Sequence, residues 1–311
     1  MIPRLAPMLA SAKPLDREEG FVHEIKWDGY RVLAYIEEGQ VDLVSRNGRS
    51  LAARFPELVP LLSSLPSQPL ALDGEVLVLG EHGLPVFAAL QGSGRGRTLA
   101  YAVFDVLYFS GENICPLPWL ERRTKLTSLL SAAGPVFVSP TFPGSAAGLL
   151  ATAKRLGLEG IVSKQIDAPY LPGMRSDAWR KTRVVLRDDF VVGGLRVYNN
   201  AIRSMLVGQY SPQSGALLYC GSVGSGLSQT DLRFLLFASG KLAAVGPPFV
   251  DAPRDRDVAW LKPQIVVEIE FLQFTPERRL RHPVFIRFRW DKKPGECLFT
   301  GGRSCDADGG N

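Results

Sequence analysis

A chain of 311 residues with 46% hydrophobic and 22% charged side chains has the balance of a soluble globular protein and the length of two domains. No apolar run approaches the about 18 residues of a membrane span, and Met1-Ile2-Pro3-Arg4-Leu5 does not open a secretory signal. Cys115, Cys220, Cys297 and Cys305 include no C-x-x-C pair, and His23, His82 and His282 lack ligand spacing with them, which argues against a zinc site and for free thiols in a reducing compartment. The net charge of +5 is compatible with a polyanionic partner.

The 31 glycines and 23 prolines predict many turns and short strands. Residues 1–20 read as a loop-like lead with Pro3, Pro7 and Pro14. Strands are expected at 21–26, 31–36 and 41–45, with Asp28-Gly29 as a hairpin-like turn between the first two. Phe55–Leu65 has helical spacing. Leu70–Leu79 reads as a buried strand interrupted by Asp73-Gly74-Glu75, and 100–109 as another. Helices follow at Trp119–Ala132, with Glu121, Arg122, Arg123 and Lys125 on the polar side, and at 145–156. Gly160–Lys164 is a short strand.

Near Arg187-Asp188-Asp189 the pattern changes, which makes this segment a hinge candidate. Strands at 190–197, 203–210, 216–223 and 264–272 and one helix at 228–239 suggest a small Greek-key barrel of the OB type. Basic residues in Arg278–Lys293 alternate with Phe285, Phe288 and Trp290, as on a nucleic-acid surface. The expected fold is α+β, with a domain of antiparallel sheets and flanking helices over 1–187 and the barrel over 188–311.

Lys26 stands in Glu24-Ile25-Lys26-Trp27-Asp28-Gly29-Tyr30-Arg31, at a strand end beside a turn. A bare Asp-Gly turn beside a lysine is common. The full stretch resembles the nucleotidyl-lysine signature K-x-D-G-x-R of ATP-dependent DNA ligases, RNA ligases and mRNA capping enzymes. Further stretches resemble the family pattern in order: Ser45-Arg46-Asn47-Gly48, Asp73-Gly74-Glu75, Val103-Phe104-Asp105-Val106-Leu107, Glu159-Gly160-Ile161-Val162-Ser163-Lys164, Trp179-Arg180-Lys181-Thr182-Arg183 and Arg289-Trp290-Asp291-Lys292. Gly83–Gln91, Phe190–Gly194 and Gly221–Gly226 resemble bacterial end-joining ligases of the ligase D type. Alone, each is a turn, a core strand or a solvated face. No stretch resembles the polymerase or phosphoesterase modules fused in some relatives, so a stand-alone ligase is expected.

The resemblance implies a nucleotidyltransferase domain followed by an OB-fold, and an ATP-dependent DNA ligase that seals 5′-phosphate/3′-hydroxyl breaks through a lysyl-adenylate and an adenylated DNA. Lys26 would be the nucleophile. Glu24 would meet the adenine amino group and Phe104 would stack on the ring. Arg31, Arg46 and Glu75 would serve the nucleotide, with Arg46 on the ribose. Lys164, Lys181 and Arg183 would meet phosphate oxygens, and Arg289, Asp291 and Lys292 the pyrophosphate. Arg183 stands where the family usually has lysine, and a planar fork does not replace a point charge without consequence. Glu75 and Glu159 would hold Mg²⁺ (or Mn²⁺). Lys26 must attack as a neutral amine, which nearby Lys164, Lys181 and Arg31 would favour.

The expected partner is nicked or broken double-stranded DNA, together with a Ku-like end-binding protein. The chain is expected to be a monomer, away from membranes, in the cytoplasm at the nucleoid. An RNA ligase, a capping guanylyltransferase and a non-catalytic nucleic-acid-binding protein of the same fold are the alternative readings.

Overall fold

The protein is described by a computed structural model over residues 1–66, 69–80, 84–85, 98–131, 133–142, 144–199, 201–255 and 257–301. Gly83 and Val86–Gln91 of the ligase-like stretch, His82 and Cys305 lie outside the described residues. The chain divides into two compact units, Met1–Val184 and Val185–Asn311.

The first unit holds two sheets. One contains β1 (Leu9–Ser11), β2 (Phe21–Ile25), β9 (Thr141–Phe142), β10 (Gly160–Gln165) and β11 (Arg175–Arg183), in the order β1-β11-β10-β2-β9. The other contains β3 (Tyr30–Glu37), β4 (Gln40–Ser45), β5 (Leu70–Leu79), β6 (Thr98–Phe109) and β7 (Glu112–Asn113), in the order β4-β3-β5-β6-β7, with β8 (Val136–Val138) beside β6. Pairing is antiparallel except for β1 with β11 and β6 with β8.

The strand expected at 31–36 is β3, and both of its faces are apolar. Side chains of successive strand residues point to opposite faces. Val32, Ala34 and Ile36 enter a core with Leu43, Phe55, Leu58, Leu62, Leu72 and Leu126. Leu33 and Tyr35 enter a second core with Met8, Leu107, Tyr170 and Trp179. The first core is covered by α1 (Val59–Ser63), preceded by a 3₁₀ turn at Pro56–Leu58, and by α2 (Trp119–Leu129). The second draws on residues of both sheets. A third helix, α3 (Ala146–Arg155), packs on β10 and is N-capped by Ser145, whose hydroxyl accepts from Gly148 N at 3.0 Å.

Several expectations change here. β2 and β3 do not form a hairpin; they belong to different sheets, and 26–29 carries the chain from one to the other. Asp73-Gly74-Glu75 does not interrupt β5, which runs through it with a register shift against β6 between Asp73 and Gly74. The lead is not all loop, since Leu9–Ser11 pairs with β11. Arg122 is not on the polar face of α2: it is fully buried and forks onto Asp105.

The second unit is a single sheet of β12 (Leu186–Tyr198), β13 (Ala201–Tyr210), β14 (Leu217–Val223), β15 (Val258–Phe271) and β16 (Val284–Phe288), ordered β14-β13-β12-β15-β16. A parallel bridge between Ser225 and Val284 brings the end of β14 to β16, giving an OB-type barrel. Its core contains Phe190, Met205, Val207, Cys220, Ile265 and Val267, covered by Leu235 of α4 (Gln229–Lys241). Ser228 and Asp231 form a capping box at the start of α4. Arg187, Asp188 and Asp189 are not in a loop; they pair with Glu270, Ile269 and Glu268 inside the β12–β15 ladder. The basic segment contains a strand the sequence reading missed, β16, with Phe285 buried and Arg287 exposed. Among the described residues no helix is long and apolar enough to cross a membrane.

Candidate active site

The crossing between the first unit's sheets creates the site. Lys26 follows the last residue of β2, and its backbone N–H donates to Gly160 O of β10 at 2.9 Å. Three residues on, the chain passes Val76 so closely that a Cβ on Gly29 would strike its carbonyl oxygen and the Glu75 and Leu77 side chains. Lys26 is thereby held at the edge of a cavity of about 260 Å³. Glu24, Lys26, Arg31, Arg46, Glu75, Phe104, Lys164, Lys181 and Arg183 all line it.

At the inner end, Glu24 and Lys164 are each 2% exposed. Lys164 Nζ lies 2.9 Å from Glu24 Oε1 and donates to Phe104 O at 3.1 Å, with the Phe104 and Trp179 ring centres 4.6 and 4.4 Å away. Glu24 Oε1 also lies 4.0 Å from Arg123 Nη1, and among the described residues no aligned donor bonds it. Burial pushes the Glu24 carboxyl up and the Lys164 ammonium down, and each group opposes the other's shift.

On one wall Arg31 forks onto Asp73, with Nε–Oδ1 at 3.0 Å and Nη2–Oδ2 at 2.7 Å. Asp73 is fully buried and also accepts the Tyr170 hydroxyl at 2.7 Å. Burial disfavours the Arg31 charge, but Asp73 outweighs it and raises the guanidinium further. Burial drives Glu75 up to about 8 against the pull of Arg31 and Lys26.

Beside Lys26, its Nζ contacts Glu159 Oε2, and Arg183 Nε reaches Glu159 Oε1 at 3.2 Å. Lys181 is lowered by burial and then by Arg183, Arg175 and Lys26. The charge in contact with Lys26 is a carboxylate, and the expected basic neighbour Lys181 is also close enough to interact with it. Among the described residues no three His, Cys, Asp or Glu side chains gather to hold a metal. Glu75 and Glu159 fit instead a cation that arrives with phosphate oxygens as its other ligands, as Mg²⁺ commonly does.

Comparison with known proteins places these residues in a family. Residues 3–183 match the description "ATP dependent DNA ligase domain", and residues 199–292 match "ATP dependent DNA ligase C terminal region". The chain belongs to the ATP-dependent DNA ligase family. It is 35% identical over 304 residues to the multifunctional non-homologous end joining DNA repair protein LigD of Mycobacterium tuberculosis H37Rv, covering 94% of this chain and 40% of that protein. It is 36% identical over 304 residues to Pseudomonas aeruginosa LigD, covering 94% of this chain and 36% of that one. The chain thus spans about two-fifths of the length of such relatives. The solved mycobacterial DNA ligase D complexed with ATP and MES is 34% identical, with a TM-score of 0.56, covering 94% of this chain and 97% of that chain.

The first unit gathers nine of the residues singled out from the sequence into one cavity, and Glu159 stands behind Lys26 and Arg183. Arg289, Asp291 and Lys292 are not in its lining; they form a cluster of their own on Asp189 in the second unit. Sequence reasoning missed Arg175 and Trp179 as lining residues, and Asp73 and Tyr170 as the holders of Arg31. Trp179 and Asp73 sit inside recognised motifs, so spacing could have marked them. Tyr170 carries no local signal.

Proposed function

We propose that the chain is the ligase module that seals 5′-phosphate/3′-hydroxyl breaks in double-stranded DNA at the expense of ATP, in end joining. The observation that carries this reading is the placement of Lys26 Nζ at the edge of a cavity shared by nine separately encoded family positions. Phosphoryl transfer asks mainly for positioning and charge stabilisation, which such a cavity supplies.

Lys26 Nζ attacks the α-phosphorus of ATP; the N–P bond forms and the bond to the pyrophosphate oxygen breaks. Glu159, in contact with Nζ, is the nearest group to receive the lysine proton. Glu24 offers Oε1 to the adenine amino group, and the Phe104 ring stacks on the base. Arg31, Arg46 and Glu75 face the ribose, and Lys164, Lys181 and Arg183 complete the cationic wall. Arg289, Asp291 and Lys292 serve the pyrophosphate. Mg²⁺ or Mn²⁺, held by Glu75 and Glu159, would neutralise phosphate oxygens. AMP then passes from Lys26 to the DNA 5′-phosphate, and the 3′-hydroxyl attacks that phosphate and releases AMP. A monomer at the nucleoid, working with a Ku-like end-binding protein, fits the end-joining role named in the LigD relatives.

Intact mass after incubation with ATP or GTP tests the reading. A gain of one AMP with ATP alone is expected. Lys26→Ala should lose that gain yet seal a nick supplied already adenylated. A gain of GMP, or labelling of Lys26→Ala, would overturn it.

A further inference from the structure

The second unit contains a buried carboxylate to which no ligase motif assigns a task. Asp189 lies in β12, opposite Glu268 of β15, and is 6% exposed. Its backbone is fixed from two sides: its N–H donates to Asp188 Oδ1 at 2.8 Å, and its carbonyl accepts Gln209 Nε2 at 3.1 Å. Its two carboxylate oxygens accept Arg289 Nη1 at 2.9 and 3.0 Å, and Oδ2 also accepts Lys292 Nζ at 2.7 Å.

Arg289 uses its other edge differently. Nε and Nη2 fork onto Asp291 at 2.9 and 2.8 Å, and the Asp291 side chain is 68% exposed. One guanidinium therefore has a fixed edge and a labile edge. Asp189 and Asp291 face the two cations directly, and Asp188 and Glu268 also act on Lys292 and Arg289. An incoming phosphate can compete for the exposed edge without losing the buried contact, because a rigid strand carboxylate costs no new ordering.

We infer that Asp189 is the positioning residue that anchors Arg289 and Lys292 so that they can turn the donors of their outer edges to a polyphosphate. This rests on the proposed ATP chemistry, since the pyrophosphate is the anion those cations serve there. Asp189 itself touches no substrate. Loss of its charge would leave both cations attached to the barrel but free to rotate, and the effect would fall on the rate at saturating ATP more than on ATP affinity.

The test uses the full chain as wild type, Asp189→Asn, Asp189→Glu, Arg289→Ala, Arg289→Lys and the Asp189→Asn/Arg289→Ala double variant. Single-turnover lysine adenylation is followed against ATP concentration, and sealing of a pre-adenylated nick is followed in parallel. Asp189→Asn should slow adenylation at saturating ATP by about tenfold or more, with a smaller change in the half-saturating ATP concentration. The double variant should be within about twofold of Arg289→Ala, because the two residues act as one unit. Asp189→Glu should recover part of the rate. Multiplying losses in the double variant, or equal slowing of the two steps, would overturn the inference. A readout independent of labelling is the Nη1–H resonance of Arg289, the group that meets Asp189, assigned by its absence in Arg289→Lys. It should shift and broaden in Asp189→Asn; an unchanged signal overturns the anchor even if no nucleotide labels the wild type, an outcome that would separately sink the proposed ATP chemistry.

Discussion

Arg122 and Arg183 each meet one carboxylate, the first deep in the first unit and the second beside its cavity. Arg122 forks onto Asp105 at 2.8 and 2.9 Å, with side-chain exposures of 0% and 1%. It also donates to the carbonyls of Leu117 and Ala168, so its donors are consumed in the interior. Arg183 makes one contact to Glu159 at 3.2 Å, is 44% exposed, and shares that acid with Lys26. A sealed pair cannot be exchanged for a ligand without stranding a charge. A shared, half-open carboxylate can release either cation to a phosphate. Lys26 therefore shares the more open of these two carboxylates.

The sharpest way to break this contrast is Asp105→Ala, which strands Arg122 in the interior. It should cost about 3–5 kcal/mol in urea unfolding of the first unit. A loss near zero would mean that water or rearrangement reaches the pair, and the contrast would vanish.

Glu75→Gln probes the cavity wall, where burial sets the charge. The Glu75 carboxyl is pushed up to about 8 in the fold, above its ordinary value of 4.5. A folded value above the unfolded one adds no cost below the unfolded value. It costs stability progressively as pH rises toward the folded value, and the cost is constant beyond it. The variant lacks that cost, so its stability relative to wild type should rise by about 4 kcal/mol between pH 5 and pH 9. A pH-independent difference in urea midpoints would show that Glu75 ionises freely.

The smallest stability effect belongs to the open pair. Arg183→Ala should change stability by less than about 1 kcal/mol. The same change should slow lysine adenylation by about tenfold, as expected for a lost phosphate contact. Arg183→Lys should match wild type or exceed it, because lysine is the family's usual residue there. If Arg183→Ala unfolds more easily but labels normally, Arg183 belongs with the sealed pairs.

The cavity was legible in the sequence because each contribution is a short run on one strand or turn. Residues 24, 26 and 31 are set by a single crossing, and 181 and 183 by alternation along β11. The partners of those residues were not legible. Asp73 meets Tyr170 across 97 positions, and Asp189 meets Arg289 across 100. No local propensity encodes such pairings. The Asp28-Gly29 turn misled for a related reason. A hairpin and a jump between sheets begin with the same turn residues, and only the strand partners chosen far away, β10 for β2 and β5 for β3, separate them. Arg122 was read as a polar-face residue because helical spacing says nothing about a carboxylate waiting inside the sheet.

Gly29 carries a lesson for mutational scanning of this chain. It has no donor, acceptor or charge in its side chain, yet the carbonyl of Val76 leaves it no room for a methyl group. A library covering 26–31 and scored by DNA sealing would show positions 26 and 29 as equally intolerant. One would fail for want of a nucleophile and the other for want of space. Sealing an already adenylated nick would tell them apart: a chain without the Lys26 amine keeps that partial reaction, whereas a chain whose sheets are pried apart at position 29 loses it too.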